Sequence, residues 1–218
     1  MVNIVENGFE RTVFKPKTPI ARVLLAHGAG AGNKHEFMQQ FAQRLVELNI
    51  EVISFNFPYM QTVYDLDKKR PPNTNKILIE HFLSEIEAIP NDLPLFICGK
   101  SMGGRVASQV ITQNDIKVTA CIVLGYPFIP PGKPEKLEQR MAHFNDINKP
   151  IFILQGERDT FGGLTLLKEL TLPSNFELSW VKSGDHSFKP LKSSGLTSFD
   201  NISFAAEKTV QFIQSKLN

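Results

Sequence analysis

A serine between two glycines lies near the middle of this sequence of 218 residues. Ser101 is preceded by Gly99 and followed by Gly103 at equal spacing. The apolar residues 93–97 predict a strand before the motif, and residues 105–113 predict a helix after it. Where a strand turns sharply into a helix, the two backbones approach too closely for a Cβ atom two positions either side of the turn. The pattern favours a nucleophilic serine on a strained turn, whereas the motif considered alone also fits a flexible glycine-rich loop.

A serine hydroxyl becomes a nucleophile when a base takes its proton and an acidic group orients that base. Asp159 follows the apolar residues 150–155, and His186 lies in the turn after residues 176–181. We therefore interpret Ser101 as the nucleophile, His186 as the general base and then acid, and Asp159 as the group that orients the histidine.

Other residues compete for two of these roles. Glu157 and Asp185 are alternatives to Asp159 as the orienting acid. Asp159 is favoured because the far end of its turn can reach across to the last loop, whereas Asp185 adjoins the histidine and is expected to point elsewhere. A solvated turn histidine is the alternative for His186, but its Gly-Asp-His-Ser setting after the last strand favours a base.

A second glycine-rich segment, residues 28–32, follows the apolar residues 22–27. A tetrahedral intermediate needs N–H donors for its oxyanion. We expect these donors to be the backbone N–H of Met102, just after the serine, and that of Ala29, with Gly30 as the alternative to Ala29.

The histidine before this segment ends a strand rather than beginning the loop. We therefore interpret His27 as a structural residue that fixes the loop by a hydrogen bond. The loop could otherwise bind a phosphate, as in a dinucleotide fold. Its Gly-x-Gly-x-Gly spacing lacks the final Gly-x-x-Gly, and no acidic residue closes the next strand near Phe57, which disfavours that alternative.

Strands and helices are expected to alternate along the chain, because nearly continuous apolar runs predict buried parallel strands and helically spaced apolar residues predict the helices between them. The expected strands are residues 22–27, 51–57, 93–97, 118–124, 150–155 and 176–181, and the expected helices are residues 36–48, 73–89, 105–113, 135–144, 164–170 and 202–217. Residues 2–14 are expected to form an edge hairpin or one strand, and residues 58–72 a surface loop. This predicts the α/β class, with a mostly parallel, doubly wound sheet flanked by helices in a single domain over residues 1–218. Ligands of such sheets bind at the carboxyl ends of the strands.

Composition limits the classes of function. With 42% hydrophobic and 21% charged residues, the chain can bury a sizeable core. The net charge of +2, with basic and acidic residues interspersed, does not predict a nucleic-acid partner. The sequence starts without a basic segment followed by an apolar one, and it has no apolar run of about 18 residues. We therefore expect no membrane association and a cytoplasmic location.

The sulfur and imidazole ligands are scattered. Cys98 and Cys121 lie in predicted buried strands and are expected to be reduced core residues. The 5 histidines form no His-Glu-x-x-His motif, and the sequence has no Cys-x-x-Cys. We predict neither a metal nor a cofactor.

Several motifs together resemble one known family. They are His27-Gly28-Ala29-Gly30-Ala31, Phe55-Asn56-Phe57-Pro58-Tyr59, Gly99-Lys100-Ser101-Met102-Gly103-Gly104, Gln155-Gly156-Glu157-Arg158-Asp159 and Gly184-Asp185-His186-Ser187-Phe188. From about residue 23 onward, the chain resembles the small α/β-hydrolases that include a testis-expressed protein and a subunit of the NSL histone-acetyltransferase complex, and more distantly dienelactone hydrolases. The resemblance implies the α/β-hydrolase fold without a large cap domain and a triad of Ser101, Asp159 and His186, but no substrate. Dienelactone hydrolases carry cysteine at the position of Ser101, so their reaction is not carried over.

The residues favour a serine hydrolase that cleaves a small ester, thioester or amide through an acyl-enzyme. The alternative is a catalytically silent binding or scaffold protein of the same fold, although a scaffold has no physical need for the three side chains to coexist. Residues 125–149 start with a proline-rich turn and are too short for a helical lid, so short or polar small-molecule substrates are expected. If Arg70 faces the site, it is expected to bind an anionic group of the substrate, whereas a solvated arginine is the alternative.

Overall fold

Eight strands form one sheet in the computed structural model, which describes residues 1–6 and 9–217. The strands are β1 (Val2–Glu6), β2 (Phe9–Phe14), β3 (Ala21–Ala26), β4 (Ile50–Phe55), β5 (Leu95–Lys100), β6 (Ala120–Leu124), β7 (Ile151–Gly156) and β8 (Phe176–Val181). Their spatial order is β1-β2-β4-β3-β5-β6-β7-β8, and all neighbours from β4 to β8 are parallel. The expected mostly parallel sheet is confirmed.

The first two strands form the antiparallel edge of the sheet. β1 pairs with β2, and β2 pairs with β4. Residues 2–6 and 9–14 therefore form two strands, as in the hairpin alternative, and residues 7 and 8 between them lie outside the described residues.

Helices cover both faces of the sheet. They are α1 (Glu36–Glu47), α2 (Pro58–Leu66), α3 (Asn75–Glu87), α4 (Met102–Val110), α5 (Leu137–Met141), α6 (Leu164–Leu167) and α7 (Ser198–Ser215). Helices α1 and α7 contact each other on one face, and α3 and α4 contact each other on the other. Successive residues of β3 point to opposite faces, so Val23 packs into the α1 and α7 layer while Leu24 packs into the α3 and α4 layer. This explains why the central strands carry apolar residues on both faces.

The surface loop expected over residues 58–72 is wrong in its first half, because α2 begins at Pro58. Proline suits the first position of a helix, where its fixed φ is already helical and its missing N–H has no partner to lose. The helix covers the turn after β3, and its residues Tyr59 and Met60 are buried. Apolar spacing alone did not distinguish this proline from a turn proline.

The connector between β6 and β7 contains only short helical pieces. Two 3₁₀ turns, Pro134–Lys136 and Phe144–Asp146, flank α5, so the helix expected over residues 135–144 is shorter than predicted. The fold therefore has no large cap, and the carboxyl ends of β3, β5, β7 and β8 are left open at one edge.

Candidate active site

Ser101 occupies a turn between β5 and α4 that requires its glycine neighbours. Its backbone has φ 52° and ψ −114°, which is a strained conformation for a residue with a side chain. A Cβ atom at Gly103 would lie 2.5 Å from the carbonyl oxygen of His27, and one at Gly99 would overlap the backbone of Gly103 and Gly104. The close approach of α4 to β3 and β5 therefore explains the glycine spacing of the motif.

Three polar side chains from three loops form one chain of hydrogen bonds. Ser101 Oγ lies 2.7 Å from His186 Nε2, and His186 Nδ1 lies 2.8 Å from Asp159 Oδ2. Because a carboxylate only accepts hydrogen bonds, Nδ1 of His186 carries the proton and donates a hydrogen bond to Asp159. Nε2 therefore accepts a hydrogen bond from the serine hydroxyl. These are the distances expected between a nucleophile, its base and the group that orients the base.

Both oxygens of the buried Asp159 carboxylate accept further hydrogen bonds. Oδ1 accepts from the backbone N–H of Phe161 at 2.7 Å, and Oδ2 accepts from Gln155 Nε2 at 2.8 Å. Gln155 is itself fixed by the backbone N–H and C=O of Tyr126, at 2.8 and 3.2 Å. The carboxylate is therefore held in one orientation toward His186.

The two competing carboxylates bind backbone groups of the loop that carries His186. Glu157 Oε2 accepts from the N–H of Ser183 at 2.6 Å. Asp185 Oδ1 accepts from the N–H groups of Ser187 and Lys189 at 2.8 and 3.0 Å. Both side chains shape the loop, while Asp159 is the carboxylate that contacts the imidazole.

A phenylalanine fixes the plane of that imidazole. The ring of Phe161 stacks on His186 with a centroid distance of 4.2 Å and an angle of 29° between the planes. Phe161 lies two residues after Asp159, so one short loop supplies both the hydrogen bond and the ring contact.

The loop after β3 is bound by His27 and Tyr59. His27 Nε2 accepts from the backbone N–H of Phe57 at 3.0 Å, so Nδ1 carries the proton and donates to the carbonyl oxygen of Gly28 at 2.7 Å. Tyr59 donates its hydroxyl to the carbonyl oxygen of Ala29 at 2.9 Å. Burial lowers the pKa of His27 to about 4, so the ring is neutral at physiological pH, as these hydrogen bonds require. The expected structural role of His27 agrees with these contacts.

The backbone N–H groups of Ala29 and Met102 have no acceptor among the described residues, and neither does that of Gly30, the alternative to Ala29, which lines the same cavity. The Gly28 carbonyl is bound by His27, and in a trans peptide the N–H of the following residue points the opposite way, so Ala29 N–H is directed away from His27. A Cβ at Gly28 would lie 3.6 Å from the Cβ of Ser101, which places this loop against the serine. Met102 is the first residue of α4, where the helix dipole favours negative charge.

Ser101 opens into a cavity of about 400 Å³. Phe37, Met38 and Phe161 form the apolar part of its wall, and His35 and Lys100 are among its polar lining residues. The cavity thus offers a small apolar space beside the hydroxyl.

Arg70 lines a second, neighbouring groove of about 760 Å³ together with Lys68 and Lys69. This groove shares residues 29–31 and His35 with the cavity of Ser101. The structure therefore places Arg70 close to the glycine-rich loop but outside the wall of the serine cavity, and its role in substrate binding stays a prediction.

The cysteines and acidic residues suggest no other centre in the described part of the chain. Cys98 and Cys121 are buried and unbonded, and burial raises the pKa of both thiols. Within residues 1–6 and 9–217, no group of three or more histidine, cysteine or acidic side chains is placed to hold a metal ion. No helix in the same residues is long and apolar enough to cross a membrane.

A doubly wound parallel sheet with a serine at a glycine-bounded turn after β5 is the arrangement of α/β-hydrolases. Residues 19–214 match a family described as "Alpha/beta hydrolase domain", and the chain belongs to that family. No curated protein matches the sequence.

Solved structures with the same fold include several hydrolases. Est1E from Butyrivibrio proteoclasticus superposes with a TM-score of 0.68 at 12% identity, over 99% of this chain and 98% of that one. A dienelactone hydrolase from Anabaena variabilis superposes with a TM-score of 0.69 at 14% identity, over 94% of each chain. An alpha-beta serine hydrolase homologue from Coxiella burnetii gives a TM-score of 0.67 at 14% identity, over 95% of each chain. At these identities the similarity shows the fold.

Sequence reasoning assigned no role to several residues that build the site. They are Tyr59, Lys100, Gln155 and Phe161. Lys100 and Gln155 stand out as polar residues at the ends of apolar strands, which is the signal that could have identified them. Tyr59 and Phe161 carry no such signal, because their contacts depend on loops that meet only in the folded chain.

Proposed function

We propose that this protein is a serine hydrolase that cleaves a small ester, thioester or amide through an acyl-enzyme. The observation that carries the proposal is the continuous chain from Ser101 Oγ through His186 to Asp159, with both contacts shorter than 3 Å. A strained serine turn, a neutral base aimed at the hydroxyl and an orienting carboxylate are the parts that this chemistry requires.

In the first half of the reaction, Ser101 Oγ attacks the carbonyl carbon of the substrate while its proton passes to His186 Nε2. Asp159 stabilises the imidazolium that results and keeps Nδ1 protonated. The tetrahedral intermediate collapses when His186 gives the proton to the leaving alcohol, thiol or amine, which departs and leaves the acyl group on Ser101. A water molecule then attacks the acyl-enzyme by the same steps, with His186 as base and then acid, and releases the carboxylic acid.

The oxyanion of each intermediate is assigned to the N–H groups of Ala29 and Met102. Both lie beside Ser101 without an acceptor among the described residues, and the positive end of α4 adds to their effect. His27 and Tyr59 support this role because they orient the peptide groups of the loop before the substrate binds.

The substrate is expected to be small, in keeping with a cavity of about 400 Å³ and a fold without a large cap. Arg70 is proposed to bind an anionic group that extends from the cavity into the neighbouring groove. Arg70→Ala should then lower kcat/KM for esters with a carboxylate or phosphate but not for neutral esters of the same length. An equal loss for both kinds of ester would contradict this role.

The narrower resemblance to the testis-expressed protein and the NSL subunit belongs to the same proposal, as does the cytoplasmic location. That resemblance keeps a scaffold protein as the second candidate, since one of the proteins named is a subunit of a complex. The hydrogen-bonded state of Ser101 favours the enzyme, because a binding surface needs no base aimed at a serine.

The test is covalent labelling by a fluorophosphonate, combined with turnover of acyl p-nitrophenyl esters and thioesters. Labelling and turnover should occur in the wild type and disappear in Ser101→Ala and His186→Ala. Ser108→Ala is a matched control, because Ser108 Oγ also lies 2.8 Å from a histidine nitrogen, that of His143, but within α4 rather than on a strained turn. Absence of labelling in a folded wild-type protein would favour the scaffold.

A further inference from the structure

Lys100, the residue directly before the nucleophile, is only 8% exposed, which is unusual for a lysine. Its Nζ donates a hydrogen bond to the backbone carbonyl oxygen of His186 at 2.6 Å. The same atom lies 5.5 Å from the ring centroid of Phe37 and 6.0 Å from that of Phe188. The acyl-transfer steps described above make no use of this buried cation.

The turn after β6 leaves room for this contact. Gly125 has φ 69°, and a Cβ there would lie 3.2 Å from the carbonyl oxygen of His186 and 3.3 Å from Lys100 Nζ. Any side chain at position 125 would therefore press on both partners. The hydrogen bond is enclosed by the backbone of this turn on one side and by aromatic rings on the other.

Glu157 and Asp185 bind N–H groups of other residues in this loop, but among the described residues Lys100 makes the only hydrogen bond to the carbonyl oxygen of His186. Asp159 binds Nδ1 and Phe161 stacks on the ring. The loop itself has positive φ angles at Ser183 and Phe188, of 55° and 62°, and residues with side chains keep such angles only when their surroundings hold them. Lys100 supplies a hydrogen bond from the strand of the nucleophile directly to the residue that carries the base.

We propose that Lys100 is a positioning residue for the general base: its ammonium group holds the backbone of His186 so that Nε2 stays within hydrogen-bond distance of Ser101 Oγ. This inference rests on the proposed hydrolase function. It adds a side chain to the contacts that set the distance between nucleophile and base, a quantity for which an error of about 1 Å can cost roughly 100-fold in rate.

The charge of Lys100 also affects the rate of turnover, in the direction opposite to the effect of positioning. The titratable groups around the ammonium are His186, Asp159 and Asp185, with His35 on the wall of the same cavity. A cation beside His186 disfavours the positive charge that the imidazole gains during the reaction. Charge alone therefore predicts faster turnover when Lys100 is replaced by a neutral residue, whereas positioning predicts slower turnover, so the direction of the change separates the two.

The hydrogen bond is expected to depend on pH. Burial lowers the pKa of Lys100 to about 8, against the opposing effect of the Asp159 and Asp185 carboxylates. A charged donor binds a carbonyl oxygen more strongly than a neutral amine does. We therefore expect kcat of the wild type to fall above about pH 8 as the ammonium loses its proton.

The kinetic test compares Lys100→Met and Lys100→Arg with the control Lys149→Met. Lys149 Nζ also donates to backbone carbonyl oxygens, those of Ile116 and Val118, at 2.7 and 2.9 Å. Burial also lowers the pKa of Lys149. This lysine precedes β7, however, and therefore lies at the amino ends of the parallel strands, away from Ser101. The readouts are kcat and KM for p-nitrophenyl acetate between about pH 6 and about pH 10.

Lys100→Met should lower kcat on the order of 10- to 100-fold, with little change in KM and without the fall above pH 8. Lys100→Arg keeps the charge at all these pH values and should restore part of kcat while removing the alkaline fall. Lys149→Met should behave as the wild type. Wild-type or higher kcat in Lys100→Met, or a reduced kcat with the alkaline fall unchanged, would overturn the proposal.

A measurement without turnover separates this inference from the proposed function. The low-field proton NMR signal of His186 Nδ1–H reports the hydrogen bond with Asp159 in the resting protein. In Lys100→Met this signal should broaden or disappear while the circular dichroism spectrum stays that of the wild type, and in Lys149→Met it should persist. If the wild type neither labels nor turns over, the hydrolase function fails, and an unchanged signal in Lys100→Met separately overturns the positioning role.

Discussion

At the scale of single residues, neither carboxylate oxygen of Asp159 can be replaced by the NH₂ group of asparagine without loss of a hydrogen bond. One oxygen accepts from Phe161 N–H and the other from Gln155 and His186, so the NH₂ group of Asp159→Asn must face a donor in either orientation. We expect kcat for small esters to fall about 10⁴-fold, because the wrong histidine tautomer is favoured. Asp185→Asn is the control, since its Oδ1 can still accept from the same two backbone N–H groups. A comparable loss in both variants would count against the assignment of Asp159.

Lys100 also makes stability depend on pH. Because its pKa is about 8 in the folded protein and has an ordinary value of 10.5 in the unfolded chain, the penalty for burying the charge is fully present below about pH 8 and is relieved as pH rises toward 10.5. The free energy of unfolding of the wild type should therefore rise relative to that of Lys100→Met across this range, by on the order of 3 kcal/mol. Urea unfolding of both proteins at several pH values measures the difference, and a constant difference would contradict the buried charge.

Residue types and their order were enough to predict that the side chains of Ser101, Asp159 and His186 lie together. Each follows a strand, and the carboxyl ends of parallel strands meet at one edge, so separation along the chain did not hide them. The residues that hold them were not predictable in the same way. Lys100 contacts a residue 86 positions away, and Gln155 contacts one 29 positions away, through backbone groups that any residue carries.

At the scale of elements, the close approach of α4 to the sheet determines the turn that carries Ser101. Gly103→Ala would place a Cβ 2.5 Å from the carbonyl oxygen of His27 and 2.8 Å from that of Ala26, so the helix would have to move away from β3. We expect a loss of stability of about 1–3 kcal/mol, as for other over-packed sites, together with loss of fluorophosphonate labelling. For stability, Gly30→Ala is the control, because no heavy atom lies within 4 Å of a Cβ at that position. An equal fall of Tm in both variants would contradict the packing argument.

The elements themselves were predictable to different degrees. Strands β3 to β7 were recognised because burial on both faces makes most of their positions apolar, a signal that does not depend on the neighbours. Strand β8 was predicted over the same residues although it is an edge strand whose middle positions are only partly buried or exposed. Helix α2 was missed because Pro58 has the same sequence appearance in a turn and at the first position of a helix. Helix α7 begins at Ser198 rather than Ile202, because the side chains of Thr197 and Asp200 cap a first turn whose one apolar residue, Phe199, is exposed.

At the scale of the whole molecule, the short connector between β6 and β7 is expected to limit the length of the acyl chain that the proposed hydrolase accepts. Each CH₂ that is buried contributes about 0.8 kcal/mol, but a cap that could bury many of them is missing from this fold. Acetyl and butyryl esters should therefore have higher kcat/KM than octanoyl and longer esters in a p-nitrophenyl series. A kcat/KM that rises through the decanoyl ester would contradict this expectation.

The order of the strands also determines when the reactive centre forms during synthesis of the chain. His186 follows Ser101 by 85 residues and comes after β8, the last strand at its edge of the sheet. A nascent chain therefore contains the serine and its glycine turn long before it contains a base. In the proposed hydrolase, the Ser101 hydroxyl therefore remains an ordinary alcohol until β8 docks beside β7, and a chain interrupted on the ribosome before that strand is expected to resist acylation.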